Sequence, residues 1–462
     1  MPLSLLKIKS LIRLFVVFTV LYSCNKDDDG GVPPPIDNEF NGEIEYVKTY
    51  GGSNEDDAVS MVQDIDGSYL ILGTTFSNDG DIIDKTTTDA DLWLLKLSPD
   101  GQIIWSKTYG GSLDDKATRI TKTNDGGFLL TGYSMSDDGD VSSNEGFHDY
   151  WLVKINRDGI IQWDRNYGFS GSDQSFDAFQ TSDGGYFLSG FLDVTASGGL
   201  GNDIAGTAGN PAGRNGNLHG VGEYWGIKLD ANGVKEWRRY FGGTNNDRSY
   251  DALETPDGGF LMIGASESDD FDIIDSKGSY DLWAVRLNSS GDKLWTKSFG
   301  GSEIDIGYAV THSSDGNYIL AGDSRSADGD ITNPLGNADT WIVKFNDSGG
   351  LIWQKSFGGS EFESARSITP LLSGNYLVSG SSRSSNGDIT DNKGQNDAWI
   401  LILNEQGTLQ FQITSGGSSL DFSNYALEMT DGSIVAVGNT ESNDGDITLN
   451  KGVKDFLIVK IK

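Results

Sequence analysis

One sequence pattern recurs seven times along this chain of 462 residues and constrains the fold more than any other feature. Each copy begins at a Gly-Gly-Ser-like corner, and successive corners are 59, 58, 74, 58, 58 and 58 residues apart. The last residue of each corner is Ser53, Ser112, Ser170, Thr244, Ser302, Ser360 or Ser418. Self-similarity at a fixed period is typical of an array of structural repeats, so seven equivalent units are predicted.

Three further positions repeat in every unit. An acidic residue follows the corner by three positions, and glycines follow it by 14 and 20 positions. The first glycine usually comes after Asp, and Asp-Gly is typical of a hairpin turn that needs a positive φ. The second glycine falls inside a strand pattern, which indicates a bulge or a close backbone approach. The acidic residues are Asp56, Asp115, Asp173, Asp247, Asp305, Glu363 and Asp421.

Each unit has the alternation and turn signals of four short strands. In the first unit these strands are predicted near residues 58–64, 68–74, 91–97 and 102–109. Seven such units predict an all-β fold, a seven-bladed β-propeller with four-stranded blades, because radial repetition leaves few exposed sheet edges. A small residue always stands five positions after the corner, which fits the innermost strand of a blade.

All eleven tryptophans fall in two registers of the repeat. Six stand in Asp-x-Trp or Glu-x-Trp, and five lie in the following strand. A tryptophan in such a register is explained better by core packing than by a ligand platform. We therefore predict that these residues are structural.

The two ends of the chain predict how the ring closes. Residues 455–460 match a third strand, and the chain ends without a fourth. The segment 43–50 copies the fourth-strand segment 102–109, with Tyr46 in the place of Trp105. We expect the N-terminal strand to complete the seventh blade, so that the propeller spans residues 41–462.

The start of the chain is predicted to be a lipoprotein signal peptide, residues 1–23. Basic residues precede an apolar run of about nine residues, which is too short to span a bilayer. The sequence Leu21-Tyr22-Ser23-Cys24 resembles a bacterial lipobox. This resemblance implies cleavage before Cys24 and attachment of acyl chains such as palmitate, which would anchor the protein to a membrane.

Residues 24–40 are predicted to form an acidic, proline-rich tether. The tract Asn25 to Gly31 resembles the surface-export signal of Bacteroidota lipoproteins, which implies an outer-membrane protein exposed at the cell surface. A merely solvated spacer is the alternative. The three consecutive prolines from Pro33 to Pro35 predict a semi-rigid arm.

The whole repeat resembles that of the bacterial β-propeller proteins often called SBBP. The resemblance rests on Gly-Gly-Ser-x-x-Asp, Asp-Gly-Gly, Asp-x-Trp-x-x-Lys and Gly-x-x-x-Trp-x-x-x-x-Gly-Gly, and it covers residues 41–462. Residues 229–237 are also similar to the tryptophan-docking repeat of quinoprotein propellers. Both resemblances imply an architecture and little about activity, because a fold does not determine function.

Strand direction alternates within a blade, so the loops between second and third strands should share a face with the corners. In six units this loop carries an Asp 28 positions after the corner. Carboxylate oxygens at turns suit Ca²⁺. The alternative is that these side chains cap their own turns by hydrogen bonds. This alternative fits better, because the bidentate Glu of an EF-hand loop is absent. The candidate metal ligands are Asp81, Asp140, Asp272, Asp330, Asp388 and Asp446.

The third unit has 16 extra residues, within about 191–222. Insertions on the loop side of repeat proteins often carry binding specificity. Arg214 and His219 lie in the insertion and His148 in the preceding unit, so we predict that they converge on a ligand; an irregular loop with unrelated polar residues is the alternative. Arg325 and Arg383 share one register and form a second candidate anion contact, or else solvated ion pairs.

Net charge and sequence motifs exclude several classes of function. The chain has 34 basic and 68 acidic residues, and its net charge of -34 argues against a nucleic-acid partner. No catalytic motif for a nucleophilic serine, a zinc protease or a phosphate loop is present. We predict a non-catalytic cell-surface lipoprotein that binds a protein or glycan on its loop side, without a cofactor beyond Ca²⁺. The alternatives are a hydrolase or lyase acting on extracellular polysaccharide and a quinoprotein-like enzyme.

Overall fold

The computed structural model describes residues 40–203 and 219–462. Over these residues, 28 strands form seven antiparallel sheets of four strands each, and one short helix, α1 (Val194–Ser197), lies in the third sheet's long loop. The predicted seven-bladed β-propeller is therefore confirmed. In this part of the chain no helix is long and apolar enough to cross a membrane.

The blades follow the chain, and the N-terminal strand β1 (Ile44–Tyr50) belongs to the last of them. Blade 1 consists of β2 (Asp56–Gln63), β3 (Tyr69–Thr75), β4 (Asp91–Leu97) and β5 (Ile103–Tyr109). Blade 2 consists of β6 (Asp115–Lys122), β7 (Phe128–Ser134), β8 (Asp149–Ile155) and β9 (Ile161–Tyr167). Blade 3 consists of β10 (Gln174–Gln180), β11 (Tyr186–Leu192), β12 (Glu223–Leu229) and β13 (Lys235–Phe241). Blade 4 consists of β14 (Asp247–Glu254), β15 (Phe260–Ser266), β16 (Asp281–Leu287) and β17 (Lys293–Phe299).

The remaining blades repeat this order. Blade 5 consists of β18 (Asp305–His312), β19 (Tyr318–Ser324), β20 (Asp339–Phe345) and β21 (Leu351–Phe357). Blade 6 consists of β22 (Glu363–Pro370), β23 (Tyr376–Ser382), β24 (Asp397–Leu403) and β25 (Leu409–Ser415). Blade 7 consists of β26 (Asp421–Glu428), β27 (Ile434–Thr440), β28 (Asp455–Ile461) and β1, in that order across the sheet. The predicted strands of the first unit agree with these bounds to within two residues.

The core lies between neighbouring blades. Every residue of each third strand is buried, so both faces of that strand pack against apolar side chains. Trp151 of blade 2, for example, packs in one cluster with Leu70, Leu72 and Leu92 of blade 1. Burial of a large apolar side chain stabilises the fold by about 1.5–3 kcal/mol. The first tryptophan register is thus structural, as predicted: Trp93, Trp151, Trp225, Trp283, Trp341 and Trp399 are fully buried.

The second tryptophan register connects each outer strand to the next blade. The indole N–H of Trp295 in β17 of blade 4 donates to the carbonyl oxygen of Asp347 in blade 5 at 2.9 Å. The corresponding N–H of Trp237 donates to Ser289 at 3.3 Å, and its ring lies against the turn glycine Gly291. These contacts explain why aromatic residues recur in a half-exposed strand.

Ring closure follows the sequence prediction. Strand β1 pairs antiparallel with β28, with Tyr50 opposite Phe456 and Lys48 opposite Ile458. The Lys462 carbonyl oxygen accepts backbone hydrogen bonds from residues 41–43, and the Tyr50 hydroxyl donates to Gly101 of blade 1. Strand β1 therefore joins the last blade to the first.

The long loop of blade 3 contains α1, which the strand pattern did not predict. Asp193 caps its start by accepting a hydrogen bond from the Ala196 N–H at 2.8 Å, and Gly198 ends it with a φ of 66°. Asp is a preferred N-cap and glycine is preferred where a helix ends in a left-handed residue. The rest of the insertion, residues 204–218, lies outside the described residues.

A glycine on each second strand lets the first strand approach closely, as its register predicted. Gly322 lies opposite Gly307, directly before a bulge between Gly307 and Ala309. A Cβ atom at Gly322 would overlap the carbonyl oxygen of Ile306. Backbone atoms cannot yield as the end of a flexible side chain can.

We expect Gly322→Ala to lower the free energy of unfolding by at least about 2 kcal/mol, because overpacking forces the backbone apart. Gly222→Ala is the matched control, since a Cβ there would meet its nearest atom at 3.5 Å. Urea unfolding of both variants measures the difference. Equal stability of the two variants would show that the close approach is not a constraint.

Deletion of residues 41–50 removes β1 and should open the ring. We expect Tm to fall by at least about 10 °C, because the loss exposes an edge strand and apolar side chains of blade 7. Deletion of residues 25–35, within the predicted tether, is the control and should leave Tm unchanged. An unchanged Tm after removal of residues 41–50 would refute closure through β1.

Candidate binding face

The corners and the long loops lie on one side of the propeller, which we call the loop face. In blade 5, the N–H of Ser302 in the corner donates to the Asp328 carboxylate in the long loop at 2.7 Å. The Gly300 N–H donates to Asp330 at 3.1 Å, and the Asp330 N–H donates back to the Gly300 carbonyl at 2.9 Å. The predicted association of corners with long loops is therefore present.

The acidic residue three positions after each corner holds the corner in place. Asp305 is fully buried, and its Oδ2 accepts hydrogen bonds from the Gly301 N–H at 2.7 Å and the Ser326 hydroxyl at 2.8 Å. Its Oδ1 accepts from the Ser324 hydroxyl. Equivalent backbone bonds are formed by Gly52 to Asp56, Gly111 to Asp115, Phe169 to Asp173, Gly243 to Asp247, Gly359 to Glu363 and Gly417 to Asp421. These acids are structural.

A second buried carboxylate faces the first across each blade boundary. Gly51 lies between Asp56 of blade 1 and Asp455 of blade 7, and a Cβ atom on it would overlap both carboxylates. Burial, with a smaller contribution from the nearby Asp455, raises the pKa of Asp56 to about 6. Burial likewise raises the pKa values of Asp91 and Asp173 to about 7. Protonated carboxyl groups are therefore part of the folded state at mildly acidic pH.

The six candidate calcium ligands take part in this scaffold. Each accepts a hydrogen bond from the first corner glycine and returns its own N–H to that glycine's carbonyl, as Asp81 does with Gly51 at 3.0 and 3.1 Å. Asp272 also forms an ion pair with Lys293 at 2.6 Å. The same glycine bond is made by Asp140, Asp330, Asp388 and Asp446.

These bonds run to a corner glycine 30 residues earlier, so they tie the long loop to the corner, which differs from the capping of their own turns named above as the alternative. Within residues 40–203 and 219–462, no group of three or more His, Cys, Asp and Glu side chains is arranged to hold a metal ion. Calcium binding stays a prediction.

The structure describes two members of the predicted cluster, His148 and His219, and they lie apart. His148 bonds to the Ser172 hydroxyl at 2.9 Å, at the boundary of blades 2 and 3. His219 is buried at the boundary of blades 3 and 4, where it contacts Glu223 at 3.1 Å and stacks on a phenylalanine ring. The two histidines therefore lie at different blade boundaries. Arg214, like the predicted lipid anchor Cys24, lies outside the described residues.

Arg325 and Arg383 do come together. Both guanidinium carbon atoms lie 5.9 Å from the ring centre of Phe362, one on each of blades 5 and 6. The Phe362 side chain is 38% exposed. Neither arginine forms an ion pair with any residue that the structure describes. The shared register identified Arg325 and Arg383 as a pair. Phe362 was not predicted, because no other unit has an aromatic residue two positions after its corner.

Two cavities adjoin at this aromatic ring. One has a volume of about 210 Å³ and is lined by residues that include Tyr308, Asp323, Arg325, Phe362 and Arg366. The other, of about 560 Å³, is lined by Glu303, Arg325, Asp328 and Phe362 among others. Arg325 and Phe362 thus form the shared wall between a space near the channel and a space on the loop face.

Sequence reasoning missed a charged cluster in the central channel. Arg119 lies 3.4 Å from Asp177 and 3.9 Å from Asp251, and its guanidinium lies 4.9 Å from the ring centre of Tyr425. Burial raises the pKa values of both carboxyl groups, whereas Arg119 lowers them. All four residues occupy one register, seven positions after the corner, so an alignment of the inner strands contains the signal.

The described residues thus define a seven-bladed β-propeller built from one repeat. No protein-family model matches the chain. Over 168 residues the chain is 26% identical to the regulatory protein FlaEY of Caulobacter vibrioides, covering 34% of this chain and 17% of the length of that relative.

Solved structures similar to the chain have low identity. A protein of unknown function from Dyadobacter fermentans is 13% identical, with a TM-score of 0.41 and coverage of 91% of this chain and 99% of that one. The Pan2 WD40 domain of Neurospora crassa is 8% identical, with a TM-score of 0.47 and coverage of 90% and 96%. Puromycin hydrolase is 12% identical, with a TM-score of 0.45 and coverage of 86% and 53%. Similarities at this level assign no activity or ligand to the chain.

The buried carboxyl groups predict how stability depends on pH. The folded-state pKa values of Asp56, about 6, and Asp91, about 7, exceed the value of about 4 expected in an unfolded chain. Between these values the folded state binds more protons, so the free energy of unfolding falls as pH rises from about 4 to 7. Hydrogen bonds from Thr255 and Arg286 lower the pKa of Asp257 to about 2, and such groups lose their stabilising effect as pH falls below about 4.

We therefore expect maximum stability near pH 4, with a decline toward pH 8 that becomes shallower above about 7. Chemical denaturation between pH 3 and pH 8 measures this profile. Asp91→Asn removes one titrating group and should reduce the slope between pH 5 and 7. A free energy of unfolding that rises steadily to pH 8 would contradict the assignment.

Proposed function

We propose that this chain is a non-catalytic lipoprotein of the cell surface whose propeller binds a protein or glycan on its loop face. One observation carries the proposal: the guanidinium groups of Arg325 and Arg383 converge on the exposed ring of Phe362. The three side chains come from two neighbouring blades, so the rigid scaffold determines their spacing.

The chemistry of this site favours an anionic ligand. The chain has twice as many acidic as basic residues, and most of its described cations pair with a carboxylate or a carbonyl oxygen. Arg325 and Arg383 do not, which leaves their N–H groups available for charge-assisted hydrogen bonds. The ring between them offers apolar contact area beside the two charges.

Two more phenylalanine side chains are exposed in other loops. Phe147 and Phe271 are 58% and 41% exposed in the loops near the blade 3 insertion. The insertion remains a proposed contact, because loop-face insertions in repeat proteins often determine specificity. Its residue Arg214 lies outside the described part of the chain.

The location of the protein is proposed from its first residues. The lipobox-like sequence ending at Cys24 supports cleavage and acylation, and the acidic tract after it supports export to the outer leaflet of a Bacteroidota outer membrane. The resemblance to SBBP-type repeats supports the same class of secreted protein. These features lie outside the described residues.

The alternative function, a hydrolase or lyase for extracellular polysaccharide, is favoured by one observation. Asp177 and Asp251 place two carboxyl groups beside Arg119 in the channel. Paired carboxyl groups are the usual machinery of glycoside hydrolysis. Against this role, Asp251 accepts a backbone hydrogen bond from Val310 at 2.8 Å and both acids are buried, which suits a cross-channel structural link.

The double variant Arg325→Gln, Arg383→Gln should weaken binding to its ligand by at least about tenfold, since hydrogen bonds to charged groups each contribute about 1.5–3 kcal/mol. A glycan array and a cell-surface pull-down with the full chain identify the ligand, and titration of wild type and variant gives the ratio of Kd values.

Lys355→Gln is the matched control, because it removes a positive charge from the outer strand β21 instead of the loop face. Equal affinity of wild type and double variant for every ligand found would contradict the proposed site. Release of reducing sugars from a polysaccharide by wild type, lost in Asp251→Asn, would favour the enzyme.

A further inference from the structure

An aromatic strip runs along the loop-face half of the channel wall. It is formed by residues six positions after successive corners, each half-buried on an inner strand. The ring centres of Phe176 and Tyr250 are 5.3 Å apart, and those of Tyr250 and Tyr308 are 5.2 Å apart. The Arg366 guanidinium continues the strip, 3.9 Å above the ring of Tyr308. Blades 3 to 6 therefore present one continuous surface, which we call the channel-mouth strip.

Three arginines surround this strip. Burial raises the pKa of Asp323 beside them, and two of the arginines, Arg366 and Arg325, act to lower it. Arg248 lies over the ring of Phe191 at 4.8 Å, beside Phe176, and Arg325 lines the cavity next to Tyr308 and Arg366. Within the described part of the chain none of these three arginines forms an ion pair. All three side chains are exposed, although the protein has a net charge of -34. An anionic group entering the channel mouth would complement them.

The same cavity holds groups that hydrogen-bond to hydroxyls. Asp323 accepts a hydrogen bond from the Ser364 hydroxyl at 2.8 Å, and Asn396 donates to the Ser381 hydroxyl at 3.3 Å. All four residues line the cavity of about 210 Å³. A carboxylate and an amide beside guanidinium groups provide acceptors as well as donors, whereas a site for phosphate alone needs donors only.

We infer that the channel mouth between blades 3 and 6 binds a saccharide that carries carboxylate groups. Sugar rings pack on Tyr250 and Tyr308, a sugar carboxylate binds Arg366 and Arg325, and hydroxyls reach Asp323. Aromatic faces and hydroxyl acceptors beside the charges favour this class over an acidic peptide. The inference rests on the proposed function and specifies its ligand class.

Isothermal titration of the full chain with hexamers of galacturonate, glucuronate and mannuronate tests the inference. The fully methyl-esterified hexamers have the same rings without the charges. We expect binding of at least one acidic hexamer and a Kd at least about tenfold higher for its ester. Arg366→Gln and Tyr308→Leu should each weaken binding of that hexamer by at least about tenfold, while Lys355→Gln leaves it unchanged.

Thermal unfolding of each variant shows whether the variant is folded. Arg366→Gln changes an exposed side chain, so this variant keeps the test valid if Tyr308→Leu does not fold. Binding of none of the acidic hexamers, equal binding of acid and ester, or unchanged affinity in Arg366→Gln overturns the inference. Tighter binding of hexaglutamate than of any acidic hexamer overturns it in favour of a peptide. The proposed function could still hold in each of these cases. It would be supported if a ligand found on the array binds the wild type and does not bind the Arg325 and Arg383 double variant.

Discussion

A buried carboxylate at the start of each inner strand is the interaction on which the rest of the structure depends. Asp305 shows how it works: one side chain accepts hydrogen bonds from the corner before it and from two hydroxyls at the end of the second strand. Leaving a buried donor without its partner costs about 1–3 kcal/mol, so each carboxylate holds its corner firmly. Seven copies of this arrangement hold the seven corners of the loop face in place.

The many acidic residues of the protein have two roles in the structure. Part of it is internal, in carboxyl pairs across blade boundaries such as Asp56 and Asp455, whose burial opposes ionisation. Another part ties the long loops to the corners. Because acids are used in these ways, the exposed arginines at the channel mouth stand out as cations that form no close ion pair with the described residues. The proposed function and the proposed saccharide site both follow from this contrast.

Much of the fold was predictable because each structural role repeats in the sequence. The recurring glycines, the two tryptophan registers and the strand at 43–50 predicted the bulges, the core and the ring closure. The shared register of Arg325 and Arg383 placed them on adjacent blades, where both guanidinium groups approach Phe362; that they bind an anion stays a prediction. His148 and His219 differ, since they occupy separate blade boundaries and the insertion that was expected to join them lies partly outside the described residues.

The channel-mouth strip and the Arg119 cluster could not be predicted from alternation alone. A bulge between Gly307 and Ala309 shifts the register of the inner strand, so the side that faces the channel changes within one strand. Tyr308, inside that bulge, faces its counterpart Tyr250 from the neighbouring blade although 58 residues separate them. Such contacts depend on which blades are neighbours and on where the bulge falls.

Hydrogen exchange of the corner amides in Asp305→Ala tests the role of the buried carboxylate most directly. The account predicts that the Gly301 amide, which donates to Asp305, exchanges at least about tenfold faster in the variant, because its acceptor is lost. The Gly111 amide, which donates to Asp115 in blade 2, should keep its wild-type rate. Unchanged protection of Gly301 in a folded Asp305→Ala protein would contradict the claim that this carboxylate holds the corner.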